Sequence, residues 1–254
     1  TYSTMDGGNT FNNVTVAVPV TNGDSITSIV HDGTSYLATS RNGTRGWLYT
    51  KTGTGSWARI TSYNVNNLKK VQYIASGVTY AVGEEGTLLR SNGSNTTWTL
   101  VPTGFSGNIN DVYFKNTNEG VALIDSVPGK ALLYKTSDGG LTWQLFGDHG
   151  EFYRSLEIHD AANDKLIAVG QKGLNYALIS RVLLNTTPFG ITKVKQYIGA
   201  PQPGLDYGDA VDVGSTGKSI AITTNSILAG VSSPLYQMFT TYNAQDLYPT
   251  WTPI

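Results

Sequence analysis

Large aromatic residues recur along this chain at a nearly constant interval, each one after a run of turn-forming residues. The first five are separated by 46, 41, 45 and 46 residues and the last two by 62; the set is Phe11, Trp57, Trp98, Trp143, Phe189 and Trp251. An interval near 45 residues has room for four short strands. The longer last interval indicates that the final repeat carries an insertion or is irregular.

Short apolar runs with few charges fill the intervals between these aromatic residues. First strands are predicted at 26–32, 68–75, 109–116, 154–160 and 210–214, and second strands at 36–40, 78–83, 120–124, 166–170 and 220–224. Third strands are predicted at 48–51, 88–91, 132–136, 176–181 and 235–241, and a fourth strand follows each aromatic residue. Such runs are typical of inner strands buried on both faces. The pattern predicts an all-β fold, a β-propeller of five to six four-stranded antiparallel blades, with six slightly favoured.

The start of the chain breaks this register. Residues 1–18 have the pattern of a third and a fourth strand without the first two. Three arrangements stay open: five blades with an added hairpin, a sixth blade completed by residues outside this sequence, or an N-terminal strand that closes the last blade. No Pro-rich linker divides residues 1–254, which are expected to form one propeller domain. Because the chain starts at Thr1 rather than Met, we expect a fragment or processed part of a longer protein.

Two turns share one motif. Residues 136–143 read T-S-D-G-G-L-T-W and residues 4–11 read T-M-D-G-G-N-T-F, which match the Asp box, or BNR repeat, between a third and a fourth strand. The Asp carboxylate is expected to accept backbone N–H groups inside the turn, and the aromatic residue to be buried under the sheet. Other repeats carry degraded copies. The residues predicted to be structural are Asp6, Phe11, Trp57, Asn92, Trp98, Asp138 and Trp143.

Residues 65–145 carry a wider resemblance. The segments 80–90, 112–122 and 133–140 are similar to those of the Ycf48-like propellers. The resemblance implies the propeller fold, and an assembly factor is one function that it implies. Asp-box propellers also include sialidases, glycan hydrolases and sorting receptors. In length and composition the chain also resembles the receptor-binding domain of a virion spike from tailless marine bacteriophages.

Composition and motifs argue against several kinds of chemistry. The chain has no cysteine, so disulfides and thiolate metal sites are excluded, and its net charge of -1 predicts no nucleic-acid partner. No apolar run approaches the roughly 20 residues that span a bilayer, so no membrane insertion is expected. Resemblance to sialidases would require an R-I-P motif, an arginine triad and a Tyr–Glu pair, and the R-I-P motif is missing. The His-Asp pairs at 31–32 and 159–160 occupy equivalent strand ends, which favours a role in turns.

One acidic cluster fits a cation. Asp206, Asp209 and Asp212 recur at a spacing of three residues, and Ca²⁺ prefers carboxylate and carbonyl oxygens. The spacing differs from that of an EF-hand loop. The alternative interpretation is a solvated turn that enters a strand. Calcium is therefore the one cofactor predicted, with Asp160 and Asp164 as the weaker second position.

Aromatic residues outside the repeat positions are candidates for ligand contact. Trp47 lies beside Arg45, and Tyr207 and Tyr248 lie near connecting loops. Such rings stack on sugar faces or on protein side chains. We predict a non-enzymatic recognition module, a receptor-binding or host-attachment domain on a virion or extracellular surface that contacts a cell-surface glycan or a protein receptor. The alternatives are a Ycf48-like assembly factor and a sialidase-like glycan hydrolase.

Overall fold

The computed structural model describes most of the chain between residues 24 and 198 and short strands elsewhere. The described ranges are 2–3, 12–13, 24–43, 45–74, 77–93, 96–127, 130–146, 151–160, 165–172, 176–184, 192–198, 218–222, 227–231, 237–241 and 252–253. Their regular secondary structure is β-strand, and none of them forms a helix able to span a membrane. The all-β prediction is confirmed.

Strands pair in chain order into one hairpin and five four-stranded antiparallel sheets. The hairpin joins β1 (Tyr2–Ser3) to β2 (Asn12–Asn13). Sheet 1 contains β3 (Ser25–His31), β4 (Ser35–Asn42), β5 (Arg45–Thr52) and β6 (Ala58–Val65). Sheet 2 contains β7 (Leu68–Tyr73), β8 (Thr79–Gly83), β9 (Leu88–Ser91) and β10 (Trp98–Leu100). Sheet 3 contains β11 (Ile109–Phe114), β12 (Gly120–Val127), β13 (Lys130–Thr136) and β14 (Gln144–Leu145).

The remaining two sheets follow the same order. Sheet 4 contains β15 (Glu151–Asp160), β16 (Lys165–Lys172), β17 (Tyr176–Leu183) and β18 (Thr192–Ile198), and one residue pair, Ala131 with Tyr153, joins it to sheet 3. Sheet 5 contains β19 (Lys218–Ile222), β20 (Ile227–Val231), β21 (Gln237–Thr241) and β22 (Thr252–Pro253). The described residues thus form five four-stranded sheets and the pair of strands that was predicted for residues 1–18.

The sequence placed the strands of sheets 1 to 4 and the third and fourth strands of sheet 5 correctly, but it misplaced the second strand of sheet 5. The segment 220–224, predicted as a second strand, overlaps β19, which is the first strand of its sheet. The second strand is β20, which the sequence did not predict. The predicted first strand at 210–214 lies outside the described residues. The interval of 62 residues before Trp251 is longer than the others, so the repeat spacing does not predict where the strands inside it begin.

Apolar side chains from adjacent sheets interlock into separate cores. Leu37, Leu48, Leu68, Val71 and Trp98 form the core between sheets 1 and 2. A second core joins sheets 2 and 3, and a third joins sheets 3 and 4. First strands also follow one another in space, since β3 lies against β7, β7 against β11, β11 against β15 and β15 against β19.

Burial of the first strands is uneven. Most apolar residues of β7 and β11 are buried, as the sequence predicted. In β3, by contrast, Ile26 and Ile29 are 42% and 55% exposed. The prediction of burial on both faces is therefore wrong for β3, because it faces a following sheet on one side but lacks an equivalent described partner on the other.

Candidate functional site

Every four-stranded sheet carries a β-bulge near the start of its first strand. In β3, for example, Ile26 pairs with Ser40 and Ser28 with Thr39, so that Thr27 is the extra residue. The extra residues of the five sheets are Thr27, Lys69, Asn110, Arg154 and Ile220. A bulge turns the extra side chain away from the regular alternation of the strand, and bulges are frequent beside functional sites. We call the three of these whose side chains are described, Thr27, Lys69 and Asn110, the bulge site.

Two neighbouring bulge residues bond directly to each other. Lys69 Nζ donates to Asn110 Oδ1, and Asn110 Nδ2 donates to Asp125 Oδ1 at 2.6 Å. The pKa of Lys69 lies below the usual lysine range, chiefly because burial disfavours the charged ammonium. The charge of Arg41 lowers this pKa further, whereas the carboxylates of Asp125 and Glu84 raise it and offset part of the effect of burial. The bulge site therefore holds a desolvated ammonium whose position an amide fixes.

A buried asparagine joins sheets 1 and 2 beside the bulge site. Asn67 Oδ1 accepts the backbone N–H of Asn42 at 3.1 Å, and its Nδ2 donates to Gly43 O at 2.5 Å and to Glu84 Oε2 at 2.9 Å. Its own carbonyl accepts the N–H of Glu84 at 2.9 Å. Asn67 is 5% exposed. One side chain thereby satisfies polar groups of two turns that belong to different sheets.

Asn108 repeats this arrangement between sheets 2 and 3. Its Oδ1 accepts the N–H of Glu85 at 3.2 Å, its Nδ2 donates to Asp125 Oδ2 at 3.0 Å, and its carbonyl accepts the N–H of Asp125 at 2.8 Å. It follows Asn67 by 41 residues, which is also the distance from Trp57 to Trp98. Asn67 and Asn108 are therefore equivalent scaffold positions of the repeat.

Polar side chains also set the spacing of the first strands. The side-chain amide of Gln72 in β7 accepts the N–H of Phe114 in β11 at 2.6 Å and donates to the carbonyl of Phe114 at 3.0 Å. This side chain thus forms with β11 the pair of hydrogen bonds that a strand backbone would form. Lys70 Nζ lies 3.4 Å from Asp111 Oδ1. Asp111 Oδ2 accepts the N–H of Leu156 in β15 at 2.9 Å. These contacts hold β7, β11 and β15 at fixed distances beside the bulge site.

The turn between β13 and β14 contains the best match to the Asp-box motif. Asp138 Oδ1 accepts the N–H of Thr142 at 2.9 Å and the hydroxyl of Thr136 at 2.8 Å. The hydroxyl of Thr136 accepts the N–H of Gly140, whose φ is 94°. Trp143 Nε1 donates to the carbonyl of Gly140 at 2.9 Å. The turn lies between a third and a fourth strand, as predicted, and its polar groups are used internally.

The aromatic residues at the repeat positions differ in burial. Trp98 and Trp57 are 1% and 8% exposed, whereas Trp143 is only partly buried and packs against the core between sheets 2 and 3. The ring of Trp143 meets Phe114 edge to face at a centroid distance of 6.2 Å. Asn92 is exposed and donates to Thr99 Oγ1 at 3.4 Å. Asp6 and Phe11 lie outside the described residues.

A cleft of about 340 Å³ opens beside this turn. Its walls are Lys135, Thr136, Ser137, Thr142, Trp143 and Gln144. The hydroxyls of Thr136 and Thr142 both donate to Asp138. Those two hydroxyls therefore hold the turn together.

The predicted ligand residues are only partly described. Arg45 is exposed at the start of β5, and Trp47 lies half-buried against the cluster of Ala38, Tyr49 and Trp57. The guanidinium of Arg59 stacks on the indole of Trp47 at 4.3 Å from its centroid. Tyr207, Tyr248, Asp206, Asp209, Asp212 and Asp164 lie outside the described residues. Within the described part of the chain, no group of three or more His, Asp or Glu residues is placed to hold a metal ion.

The first predicted His-Asp pair forms a turn. Asp32 Oδ1 accepts the N–H groups of Thr34 and Ser35 at 2.8 and 2.6 Å, and His31 Nδ1 accepts the N–H of Gly33 at 3.3 Å. Asn116 forms the same kind of turn after β11, where its Oδ1 accepts two backbone N–H groups at 2.9 Å. The expectation that the pair at 31–32 serves a turn is confirmed.

The bulge site and the two bridging asparagines were missed by the sequence analysis. A usable signal was present, since Asn67 and Asn108 share the 41-residue interval of the tryptophans. Lys69 and Asn110 are separated by the same interval, and each is a polar residue directly after an apolar one that begins a first strand. Comparing polar residues across the repeats, rather than aromatic residues alone, would have found them.

Comparison with known proteins identifies the fold. No protein-family model and no curated protein matches the sequence. The GH74 enzyme of Niastella koreensis superposes with a TM-score of 0.61 at 15% identity, over 90% of this chain and 38% of that one. The Dos1 propeller superposes with a TM-score of 0.60 at 12% identity, over 90% of this chain and 58% of that one. YCF48 from Cyanidioschyzon merolae superposes with a TM-score of 0.49 at 17% identity, over 68% of this chain and 61% of that one.

These similarities confirm that the chain is a β-propeller. The YCF48 superposition falls below a TM-score of 0.5, so the fold assignment rests on the other two. The chain spans less than two thirds of the length of each of the three proteins. At such identities a shared fold does not transfer an activity, whether the neighbour is an enzyme or a non-enzymatic propeller.

Proposed function

We propose that the chain is a non-enzymatic recognition module at an extracellular or virion surface. It binds a cell-surface glycan or a protein receptor through the bulge site. The observation that carries this proposal is that the five sheets repeat one backbone bulge but place a different residue type in each, namely Thr27, Lys69, Asn110, Arg154 and Ile220.

Scaffold positions of the same repeats behave differently. All six repeats carry a phenylalanine or a tryptophan at the aromatic position, and three successive repeats carry a tryptophan there. A position that serves the fold keeps its residue type, because each sheet has the same backbone groups to satisfy. At the bulge position every sheet repeats the backbone conformation but carries a different side chain. Such a position suits contact with an asymmetric ligand. Recognition residues are commonly displayed in this way on a rigid scaffold.

The surroundings of the bulge site also favour recognition. Asn67, Asn108 and Gln72 tie neighbouring sheets together by hydrogen bonds between side chain and backbone. Lys69 and Asn110 are held against each other. Binding then loses little conformational entropy, since the contact groups are already ordered.

A binding assay with matched lysine variants tests the proposal. Labelled protein is applied to a printed glycan array and to bacterial cells with and without protease treatment. We expect binding to a restricted set of glycans or to protease-sensitive cell-surface sites, a large loss in Lys69→Ala, and no change in Lys51→Ala, which alters a lysine of β5. Equal binding by both variants would contradict the assigned surface.

The enzymatic alternative has its own assay. Aryl glycosides and a sialoside are incubated with the chain and with Asp125→Asn and Glu84→Gln variants. Turnover clearly above buffer that either substitution abolishes would show a glycan hydrolase and overturn the non-enzymatic proposal. An assembly factor would instead bind neither glycans nor cell surfaces.

A further inference from the structure

The cleft beside the turn of sheet 3 lies away from the bulge site. Its walls come from the end of β13, the turn and the start of β14. The strands of sheet 3 are ordered β11, β12, β13 and β14, so that Asn110 in β11 and Gln144 in β14 are separated by three strand spacings. Three spacings correspond to about 14 Å. A ligand in this cleft therefore occupies a second site and does not extend the bulge site.

Three polar side chains of the cleft are available to a ligand. The two threonine hydroxyls in its walls are used within the turn, where both donate to Asp138. Within the described residues the other three polar side chains form no hydrogen bond or ion pair; they are Lys135, Ser137 and Gln144. Ser137 and Gln144 are exposed, and Lys135 is half-buried. A hydroxyl and an amide both donate and accept hydrogen bonds, whereas an ammonium donates only.

An aromatic ring completes the walls of the cleft. Trp143 lines it and is only partly buried. The Nε1 of Trp143 donates to the carbonyl of Gly140 at 2.9 Å, and its ring meets Phe114 edge to face. The indole is thus held in place, and because its N–H is used, it offers a ligand the carbon surface of its rings. Ring surface beside a few polar groups is the usual composition of a small-ligand site.

The charge and size of the cleft favour a small neutral ligand. Lys135 is the one charged residue among the six that line it. The adjoining turn contains the carboxylate of Asp138, which accepts hydrogen bonds from Thr136 and Thr142. One positive and one negative group leave little net charge to attract an ion. The volume of about 340 Å³ is near the lower end of the range for small-ligand pockets, which is about 300–1,000 Å³.

We propose that this cleft is a second binding site, for a neutral sugar ring that stacks on Trp143. The hydroxyls of the sugar bind the amide of Gln144 and the hydroxyl of Ser137, with Lys135 as a further donor. A sugar is favoured because it joins an apolar C–H face, which matches the indole, to hydroxyls that donate and accept as the amide does. The inference goes beyond the proposed function, which places recognition at the bulge site, and gives the turn of sheet 3 a binding role besides its structural one.

An NMR titration that follows the indole N–H signals tests the proposal. The chain has five tryptophans, and the signal of Trp143 is assigned by its loss in Trp143→Phe. Methyl glucoside, methyl galactoside and N-acetylglucosamine are the probes, with sorbitol as a polyol without a ring and an acetylated triserine peptide as a polar probe without a sugar. We expect at least one of the three sugars to shift the Trp143 signal to saturation, and neither sorbitol nor the peptide to do so.

Side-chain variants locate the site. Gln144→Ala and Lys135→Met are each expected to weaken binding of that sugar about 3- to 10-fold, which is the loss of one hydrogen bond. Lys51→Met is the matched control and is expected to bind normally, because Lys51 is also half-buried in a third strand directly before a threonine and a turn. Gln144 is exposed, so its variant folds even where another does not. Equal affinity in Gln144→Ala and the control would overturn the proposal, as would no saturable shift with any of the three sugars, or a shift with sorbitol or the peptide.

The same titration of Lys69→Ala separates the cleft from the bulge site. We expect the sugar to shift the Trp143 signal as in the unaltered chain, since the two sites are formed by different strands. A folded Lys69→Ala chain that loses this shift would overturn the cleft as a second site. Sugar binding at Trp143 in a chain whose recognition of glycans and cells does not depend on Lys69 would refute the bulge site and leave the cleft intact.

Discussion

At the scale of single residues, Asp138 shows how one carboxylate organises a turn. Desolvation raises the pKa of Asp138, but hydrogen bonds from the side chain and backbone of Thr142 and from Thr136 outweigh it and hold the pKa below its usual range. A carboxyl whose pKa is lower in the folded state than in the unfolded state stabilises the fold when it is ionised. That stabilisation is complete above the unfolded pKa, near 3.9, and is lost as the pH falls through the folded pKa.

Asp138→Asn therefore has a pH-dependent cost. At pH 7 we expect it to lower the free energy of unfolding by about 1–2 kcal/mol, because charge-assisted hydrogen bonds become neutral ones or are lost. The difference from the unaltered chain should shrink below about pH 4, where Asp138 itself becomes protonated. Urea unfolding at pH 7 and pH 3 measures both values, with Ser137→Ala as the neighbouring control. A difference that is constant over this range would contradict the role assigned to the charge.

Truncation of two repeat tryptophans should cost different amounts. Trp98→Ala is expected to lower the free energy of unfolding by about 3–5 kcal/mol, since Trp98 is fully buried between sheets 1 and 2. Trp143→Ala should cost less, about 2–3 kcal/mol, because part of its ring already contacts water. Chemical unfolding of both variants compares them. The reverse order would mean that Trp143 is the more buried ring.

At the scale of strands and turns, two adjacent asparagines provide a matched test of the contact between sheets. Asn67→Ala removes the buried amide that serves the turns of sheets 1 and 2, and leaves the N–H of Asn42 without its acceptor. We expect a loss of about 2–3 kcal/mol, which is typical of an orphaned buried group. Asn66→Ala removes one exposed hydrogen bond to Glu85 and should cost less than about 0.5 kcal/mol.

Thermal and urea unfolding of the two variants give the comparison. Hydrogen exchange of the amides in 42–43 and 84–85 shows whether the loss is local, and faster exchange is expected in Asn67→Ala alone. Equal stability of the two variants would remove Asn67 from the scaffold and weaken its equivalence with Asn108.

At the scale of the whole molecule, calcium binding remains a prediction from the sequence. Asp206, Asp209 and Asp212 repel one another unless a cation is present, and they precede sheet 5. Calcium at about 100 times its dissociation constant would add about 2.7 kcal/mol to the free energy of unfolding. For a chain of this length the melting temperature rises by about 5–10 °C.

Thermal unfolding in millimolar calcium and in excess chelator measures that shift for the unaltered chain and for Asp209→Asn. We expect the shift in the former and not in the latter. Equal melting temperatures of the unaltered chain in both buffers would rule the site out. A shift that persists in Asp209→Asn would place the ion elsewhere, with Asp160 and Asp164 as the next candidates.

The repeat, the all-β class and most strand positions follow from the amino-acid sequence alone. Trp57, Trp98 and Trp143 mark the interval, and the apolar runs between them are short and bounded by turn residues. These signals are local, since a strand and its turn depend on residues a few positions apart. Where the spacing became irregular, before Trp251, the same reasoning took the first strand of sheet 5 for its second and missed β20.

Which polar residues act together depends on how the sheets pack against one another. Lys69 and Asn110 are 41 residues apart in sequence and bond directly in space, because adjacent first strands place their bulges side by side. A bulge is a property of pairing between two strands, and it leaves no mark on the hydrophobic pattern of one strand alone. The exposure of Ile29 and the partial burial of Trp143 have the same origin, since burial depends on which sheet packs against a face, and that is settled only when the sheets assemble.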